Sequence, residues 1–257
     1  MNRFLHLVAL SVVCASTSVL AQQQEPQKPQ EQKTESKHEV DVHKTSSGDL
    51  EITFLGHGTV MFKFEGKVIH VDPYSRVADY ATLPKADLVL ITHDHADHLD
   101  AGALGQVRKE GTTVLVAESC KGKVENATVM KNGETNTVFG ILIEAVPAYN
   151  IAKENGAQPF HPKGAGNGYV LTFGDTRVYV AGDTENTPEM KALKNIKIAF
   201  LPMNLPYTMA PEMVAAAAKA FRPAILYPYH YGNTDTAKLL ELMKDEPGID
   251  VRIRKMQ

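Results

Sequence analysis

Ala86-Asp87-Leu88-Val89-Leu90-Ile91-Thr92-His93-Asp94-His95-Ala96-Asp97-His98 joins an apolar run to a dense set of imidazoles and carboxylates. A short apolar run bounded by polar residues reads as a buried strand. Its end then projects the following side chains from a rigid base. Imidazole nitrogen and carboxylate oxygen are the donors that Zn²⁺ and similar divalent ions prefer. Keeping so many polar groups together is costly unless something coordinates or neutralises them. The string therefore predicts a metal centre, with room for two ions.

On either side of the string, strands are expected at 52–54, 60–64, 68–71, 113–117, 141–146, 169–173, 178–181, 196–201 and 224–227. Helices are expected at 101–109, 188–194, 211–221 and 236–244. Pro211 opens its helix where a missing N–H costs least, and Ala216-Ala217-Ala218 has strong helix propensity. Strands dominate the first half, and helices then alternate with strands. That order suggests one domain built as a sandwich of sheets flanked by helices.

The 257 residues suffice for one large domain. A hydrophobic content of 43% and a charged content of 22% are those of an ordinary globular chain. The net charge of −3 offers no basic footprint for nucleic acid. At the start, Arg3 precedes a largely apolar stretch over 4–20, and Val19-Leu20-Ala21 suits a signal peptidase. The expectation is a signal peptide over 1–21 and export to the periplasm or the exterior after cleavage near Ala21, without a stable membrane span. Cys120 is then the one cysteine of the mature chain, which excludes an internal disulfide. Residues 22–48 are rich in Gln, Glu, Lys, Pro and Ser and read as a disordered linker, with His38 and His43 solvated. The folded domain is expected over 49–257.

Four separated motifs each end an expected strand with a metal-type residue: Gly56-His57-Gly58, the His93 string, Gly182-Asp183-Thr184 and Tyr229-His230-Tyr231. Together with Val71-Asp72-Pro73 and Pro228-Tyr229-His230, they make the chain resemble the metallo-β-lactamase-fold hydrolases. It is most similar to the branch containing ascorbate-phosphate lactonases and the phospholipase D that cleaves N-acyl-phosphatidylethanolamines. The resemblance implies an α+β fold: a four-layer αββα sandwich, two mixed sheets flanked by helices, with the metals at one edge. Carried over by position, His93 and His95 bind a first ion, Asp97, His98 and His230 a second, and Asp183 bridges them. Asp72 is a candidate partner for a metal-bound imidazole, since such rings usually donate their other N–H to a carboxylate.

At the first ion's third ligand the pattern departs. Many relatives place a His after the strand that here ends in Ala148, where this chain has Tyr149-Asn150; its next histidine is His161. His161 is the better zinc ligand by chemistry, leaving Asn150 for substrate; the reverse assignment and a missing third protein ligand stay open. His57 has two readings, a group assisting proton transfer at the rim or a structural His at a Gly-flanked turn. Tyr149 is a further candidate donor to substrate, and Tyr207 lies in a loop of the kind that contacts substrates.

The implied cofactors are two divalent ions, Zn first, with Mn or Fe as alternatives. The implied chemistry is attack by a metal-activated water on an ester, lactone or phosphodiester bond of a small molecule, with Asp97 and His57 as catalytic groups. No Gly-x-Ser-x-Gly elbow competes as nucleophile. The rival reading is a non-catalytic metal- or ligand-binding protein of the same fold, with Asn150 marking lost chemistry.

Overall fold

The apolar strings at 88–91 and 113–117 have no polar face, and the computed structural model shows that both strands are covered on both sides. It describes Met1, residues 38–151 and residues 158–257; the expected signal segment after Met1 and residues 22–37 lie outside the described residues. The first sheet begins as an antiparallel meander: β1 (Glu39–Thr45), β2 (Gly48–Gly56), β3 (Thr59–Phe64) and β4 (Lys67–Val71). It continues in parallel through β5 (Leu88–Ile91), β6 (Thr113–Ala117) and β7 (Thr128–Met130), with α1 (Ala101–Val107) crossing between β5 and β6.

The second sheet repeats this plan. Its antiparallel half is β8 (Thr135–Val138), β9 (Ile141–Ala148), β10 (Gly166–Phe173) and β11 (Thr176–Val180). Its parallel half is β12 (Ile198–Pro202), β13 (Ile225–Tyr229) and β14 (Asp250–Val251). The short α2 (Pro188–Lys191), then α3 (Pro211–Phe221) and α4 (Thr236–Met243), supply the helical layer on this side.

Alternation along β5 sorts the layers. Leu88 and Leu90 join the core between the sheets, while Val89 and Ile91 face a second core with Ala103, Leu104 and Val107 of α1. On the other side α3 buries Val214, Ala217, Ala218 and Phe221, the i, i+3, i+4, i+7 stripe of an amphipathic helix. The architecture is the αββα sandwich that the resemblance implies.

The expected linker is corrected at its end. Among the described residues β1 already occupies Glu39–Thr45 and pairs with β2 from Glu39 opposite Phe54 to Thr45 opposite Gly48. Val40 and Val42 point outward; the inward side is polar. Asp41 takes both Arg254 Nη2 bonds at 2.8 and 2.7 Å and a bond from the Tyr227 hydroxyl. His43 is buried and lies 3.2 Å from the same hydroxyl, not solvated. An ion pair and its hydrogen bonds, not an apolar face, dock this strand, so a polar composition misled. Farther along, Met256 is fully buried, the Tyr231 hydroxyl donates to Arg254 O at 2.6 Å, and Gln257 O accepts from the His57 amide at 3.1 Å. This segment ties β1 to the turn that carries His57.

Candidate metal centre

The ligand-type residues converge because each stands just past a strand end on the same edge. His57 turns between β2 and β3, Asp72 follows β4, the His93 string follows β5, Asn150 follows β9, Asp183 follows β11 and His230 follows β13. Loops beyond the carboxyl ends of parallel strands are where such sheets place ligands. His57, Asp72 and His230 have φ of 52°, 47° and 49°. The left-handed region costs a non-glycine residue about 1–3 kcal/mol, and such strain concentrates at functional sites. Two glycines are sterically required. A Cβ on Gly58 would lie 2.8 Å from His98 Cε1, and one on Gly182 (φ +65°) 2.8 Å from Asn167 O.

Ligand atoms of His93, His95 and His161 form one group with mutual distances within 4.8 Å; those of His57, Asp97, His98 and His230 form another. Asp183 stands between them. Its Oδ2 is 3.4 Å from His161 Nε2, 3.6 Å from His230 Nε2 and 4.0 Å from His93 Nε2, and its Oδ1 is 3.6 Å from His98 Nε2. These four Nε2 atoms and Asp183 Oδ1 are buried and have no hydrogen-bond partner among the described residues. Buried polar atoms in native proteins nearly always have one. Several converging orphans of metal-donor chemistry fit a divalent cation, and the residues present pass that test.

On His98, His93 and His161 the opposite ring nitrogen has a partner that aims Nε2 inward, whereas His230 Nδ1 has none among the described residues. His98 Nδ1 donates to Asp72 Oδ2 at 2.8 Å, and Asp72 also accepts from Thr92 N at 2.8 Å and Thr92 Oγ1 at 2.6 Å. The Thr92 hydroxyl lies 3.0 Å from His93 Nδ1. His161 Nδ1 lies 3.0 Å from Asn150 Oδ1, which also accepts from the His161 amide at 2.8 Å. Asn150 Nδ2 donates to Tyr207 O at 2.8 Å. Such outer partners set the tautomer and orientation of a ligand.

Electrostatics favour positive charge here. Burial pushes the Asp183 carboxyl up, but the imidazoles of His230 and His98 outweigh it and hold it well below the usual range. Asp97 behaves alike: burial raises it, and the neighbouring imidazoles of His230 and His57 bring it far down. Burial lowers His98, yet Asp183 and Asp72 on either side draw positive charge onto it and raise it well above an ordinary imidazole. Burial, reinforced by neighbouring imidazoles, keeps His93 well below.

The structure thus brings together His57, His93, His95, Asp97, His98, His161, Asp183 and His230. Among the two residues offered for the departure, His161 joins His93 and His95, while Asn150 holds His161 in place. The Asn150 amide is engaged by His161 and Tyr207, and the residue also borders a cavity beside the cage. The expectation for Tyr149 is corrected. It is buried, and its hydroxyl donates to Glu189 at 2.9 Å and accepts from Lys163 at 3.3 Å, so it faces neither cavity at the centre. Asp94 pairs with Lys123. His70 is buried against Pro84 O, and burial pushes its pKa down to about 4. Burial pushes the Cys120 thiol up to about 12, and the side chain packs beneath α1 rather than at the centre.

A cavity of about 280 Å³ opens over the cluster, lined by His57, His95, Asp97, Phe160, His161, Asp183, Asn204, Tyr207 and His230. Tyr207 was expected here; Asn204 and Phe160 were not, although Phe160 adjoins a candidate ligand. Asn150→Ala should weaken divalent-metal affinity about 10–100-fold by freeing the His161 tautomer, while Asn150→Asp keeps the acceptor and most of the affinity. Competition with a chromogenic chelator measures this, and equal affinity in all three proteins would refute it.

Two seven-stranded sheets with a histidine–aspartate cage at one shared edge define a metal-binding αββα protein. The profile described as Beta-lactamase superfamily domain matches residues 51–230, and the chain belongs to that superfamily. It is similar to a metal-dependent hydrolase of Methanopyrus kandleri, 31% identical over 195 residues, covering 71% of this chain and 84% of the relative. It is also similar to a crystal structure of a Parabacteroides distasonis protein assigned as a metal-dependent hydrolase. That match has 50% identity and a TM-score of 0.82, over 86% of this chain and 100% of the other. A novel metallo hydrolase of Ignicoccus hospitalis, 24% identical with a TM-score of 0.67 over 80% of this chain and 95% of its own, shares the fold.

Proposed function

We propose that the chain is a metal-dependent hydrolase of small molecules that holds two divalent cations, with zinc first, and cleaves an ester, lactone or phosphodiester bond. The observation that carries this reading is the convergence of buried, unpartnered ligand atoms from four separate loops. His93, His95 and His161 would hold one cation, Asp97, His98 and His230 the other, and Asp183 faces both. When bound, the cations supply Lewis acidity and lower the pKa of coordinated water toward about 7.

The remaining work falls to the chain. The backbone of His57 is structural, bonded to Gln257 O and, at 3.0 Å, to the His230 amide. Its ring is placed for proton transfer: Nε2 lies 2.8 Å from Asp97 Oδ2, and the ring sits 3.8 Å from that of His230. This geometry supports both readings of His57 together. Asp97 orients the attacking water, and the Asp97–His57 pair passes its proton toward the leaving group. The reading as a non-catalytic binding protein loses its ground, because Asn150 supports His161 rather than replacing a ligand. We propose that residues 1–21 are an export signal, a reading supported by Arg3, the apolar stretch 4–20 and Ala21, with the periplasm or the exterior as the destination.

Metal-stripped protein should be inactive on a panel of esters, lactones and phosphodiesters, and two equivalents of zinc or manganese should restore turnover. Asp97→Ala should lower the rate on the order of 10²–10⁴-fold with an unchanged melting profile. Full activity in that variant, or turnover by metal-free protein, would reject the mechanism.

A further inference from the structure

Next to the cage lies a second cavity of about 170 Å³, lined by Asn150, Ile151, Gln158, Pro159, Phe160, Glu185 and Pro206. Phe160 is a wall of both cavities, and its ring meets that of Tyr207 edge-on at 4.9 Å. Ile151, Phe160, Leu205 and Tyr207 are 42%, 49%, 57% and 45% exposed. They are four of the nine exposed large hydrophobic residues between Val40 and Leu240 among the described residues. Scattered exposed apolar side chains need no explanation, but Ile151 and Phe160 line one cavity and Phe160 meets Tyr207 beside the cage, which marks a place where apolar surface is to be covered.

The charge of the lining narrows the occupant. Glu185 is the charged residue of this cavity among its described lining, and one of its oxygens, Oε2, accepts from Ile151 N at 3.1 Å. The described lining of the cavity over the cage includes no Lys or Arg. Among the described lining residues an anionic substituent would meet a carboxylate and no cation, whereas a neutral apolar group gains from leaving water.

We propose that this cavity receives an uncharged apolar acyl group, so that the substrate class is a carboxylic ester or lactone with an apolar acyl part rather than a phosphate ester. This rests on the hydrolase reading above and narrows it. In the reaction, the acyl carbon–oxygen bond to the alcohol breaks, a bond from that carbon to the water oxygen forms, and one water proton goes to the leaving alkoxide. The products are a carboxylic acid and an alcohol.

The test compares para-nitrophenyl acetate, butyrate and hexanoate with bis(para-nitrophenyl) phosphate on the metal-loaded protein. The leaving group stays constant, so acyl length is read alone. We expect kcat/KM to rise about fourfold per added methylene until the cavity is filled, and to exceed that for the phosphodiester. Ile151→Asp and Phe160→Ala should flatten the length dependence. A flat profile in active wild-type enzyme, or preference for the phosphodiester, overturns the inference while leaving the hydrolase reading intact.

If the loaded protein turns over neither the carboxylic esters nor the phosphodiester, the hydrolase reading fails, and binding decides the cavity separately. NMR titration with butanol and hexanol should shift the amides of Ile151 and Phe160, with hexanol tighter and Ile151→Asp weaker. Absence of those shifts refutes the cavity's role.

Discussion

Asp183→Asn is expected to lower kcat/KM on the order of 10³-fold and, for the two-cation centre proposed above, to reduce metal stoichiometry toward one. Asparagine keeps the shape and removes the charge, so the fold should survive. What disappears is the carboxylate lying 3.4–3.6 Å from His161, His98 and His230 and 4.0 Å from His93. Two cations repel at the short separation that two-metal hydrolases use, and a shared anion offsets this. Loss of several kcal/mol of such stabilisation corresponds to the stated rate. Metal analysis of the dialysed variant beside steady-state kinetics checks both parts. Two retained equivalents with wild-type turnover would remove Asp183 from the centre.

The largest effect on stability is expected at Asp72. Its carboxylate is fully buried and gathers the Thr92 amide, the Thr92 hydroxyl and His98 Nδ1 within 2.8 Å. Asp72→Ala leaves those donors without an acceptor and strands His98 beside Asp183, a change of the kind that costs about 3–5 kcal/mol. For a domain of this size that lowers Tm on the order of 10 °C. Asp72→Asn, which keeps one acceptor, should fall between. Differential scanning calorimetry reads the outcome, and an unaltered Tm in the alanine variant would show that the buried network carries no stability.

How much of this was legible depended on where the chemistry lay along the chain. β5 and β6 were readable because strands covered on both faces leave uninterrupted apolar strings. α3 matched its expected bounds because Pro211 marks its start and its buried stripe is regular. The His93 string was readable because five ligand-type side chains occur within six residues. β1 was not, since its docking depends on Arg254, more than two hundred residues away, and a lone Asp41 carries no sign of that partner. Asn150 and His161 could not be ranked from order alone. The chain uses both, one as ligand-type group and one as its support, through a loop closure that only coordinates display. Tyr149 was misread for a related reason: adjacency to a strand end does not say which way a side chain turns, and this one turns to Glu189 and Lys163.

The bond from the His57 amide to Gln257 O joins residues about two hundred positions apart, the second made long after the first. A nascent polypeptide on the ribosome therefore carries its histidine string long before the cage can close around anything. If the protein crosses a membrane unfolded, it travels without its cargo of ions. Its metal content would then report the supply in the compartment of arrival, and expression in the cytosol could load a different element from the one it meets in its own setting.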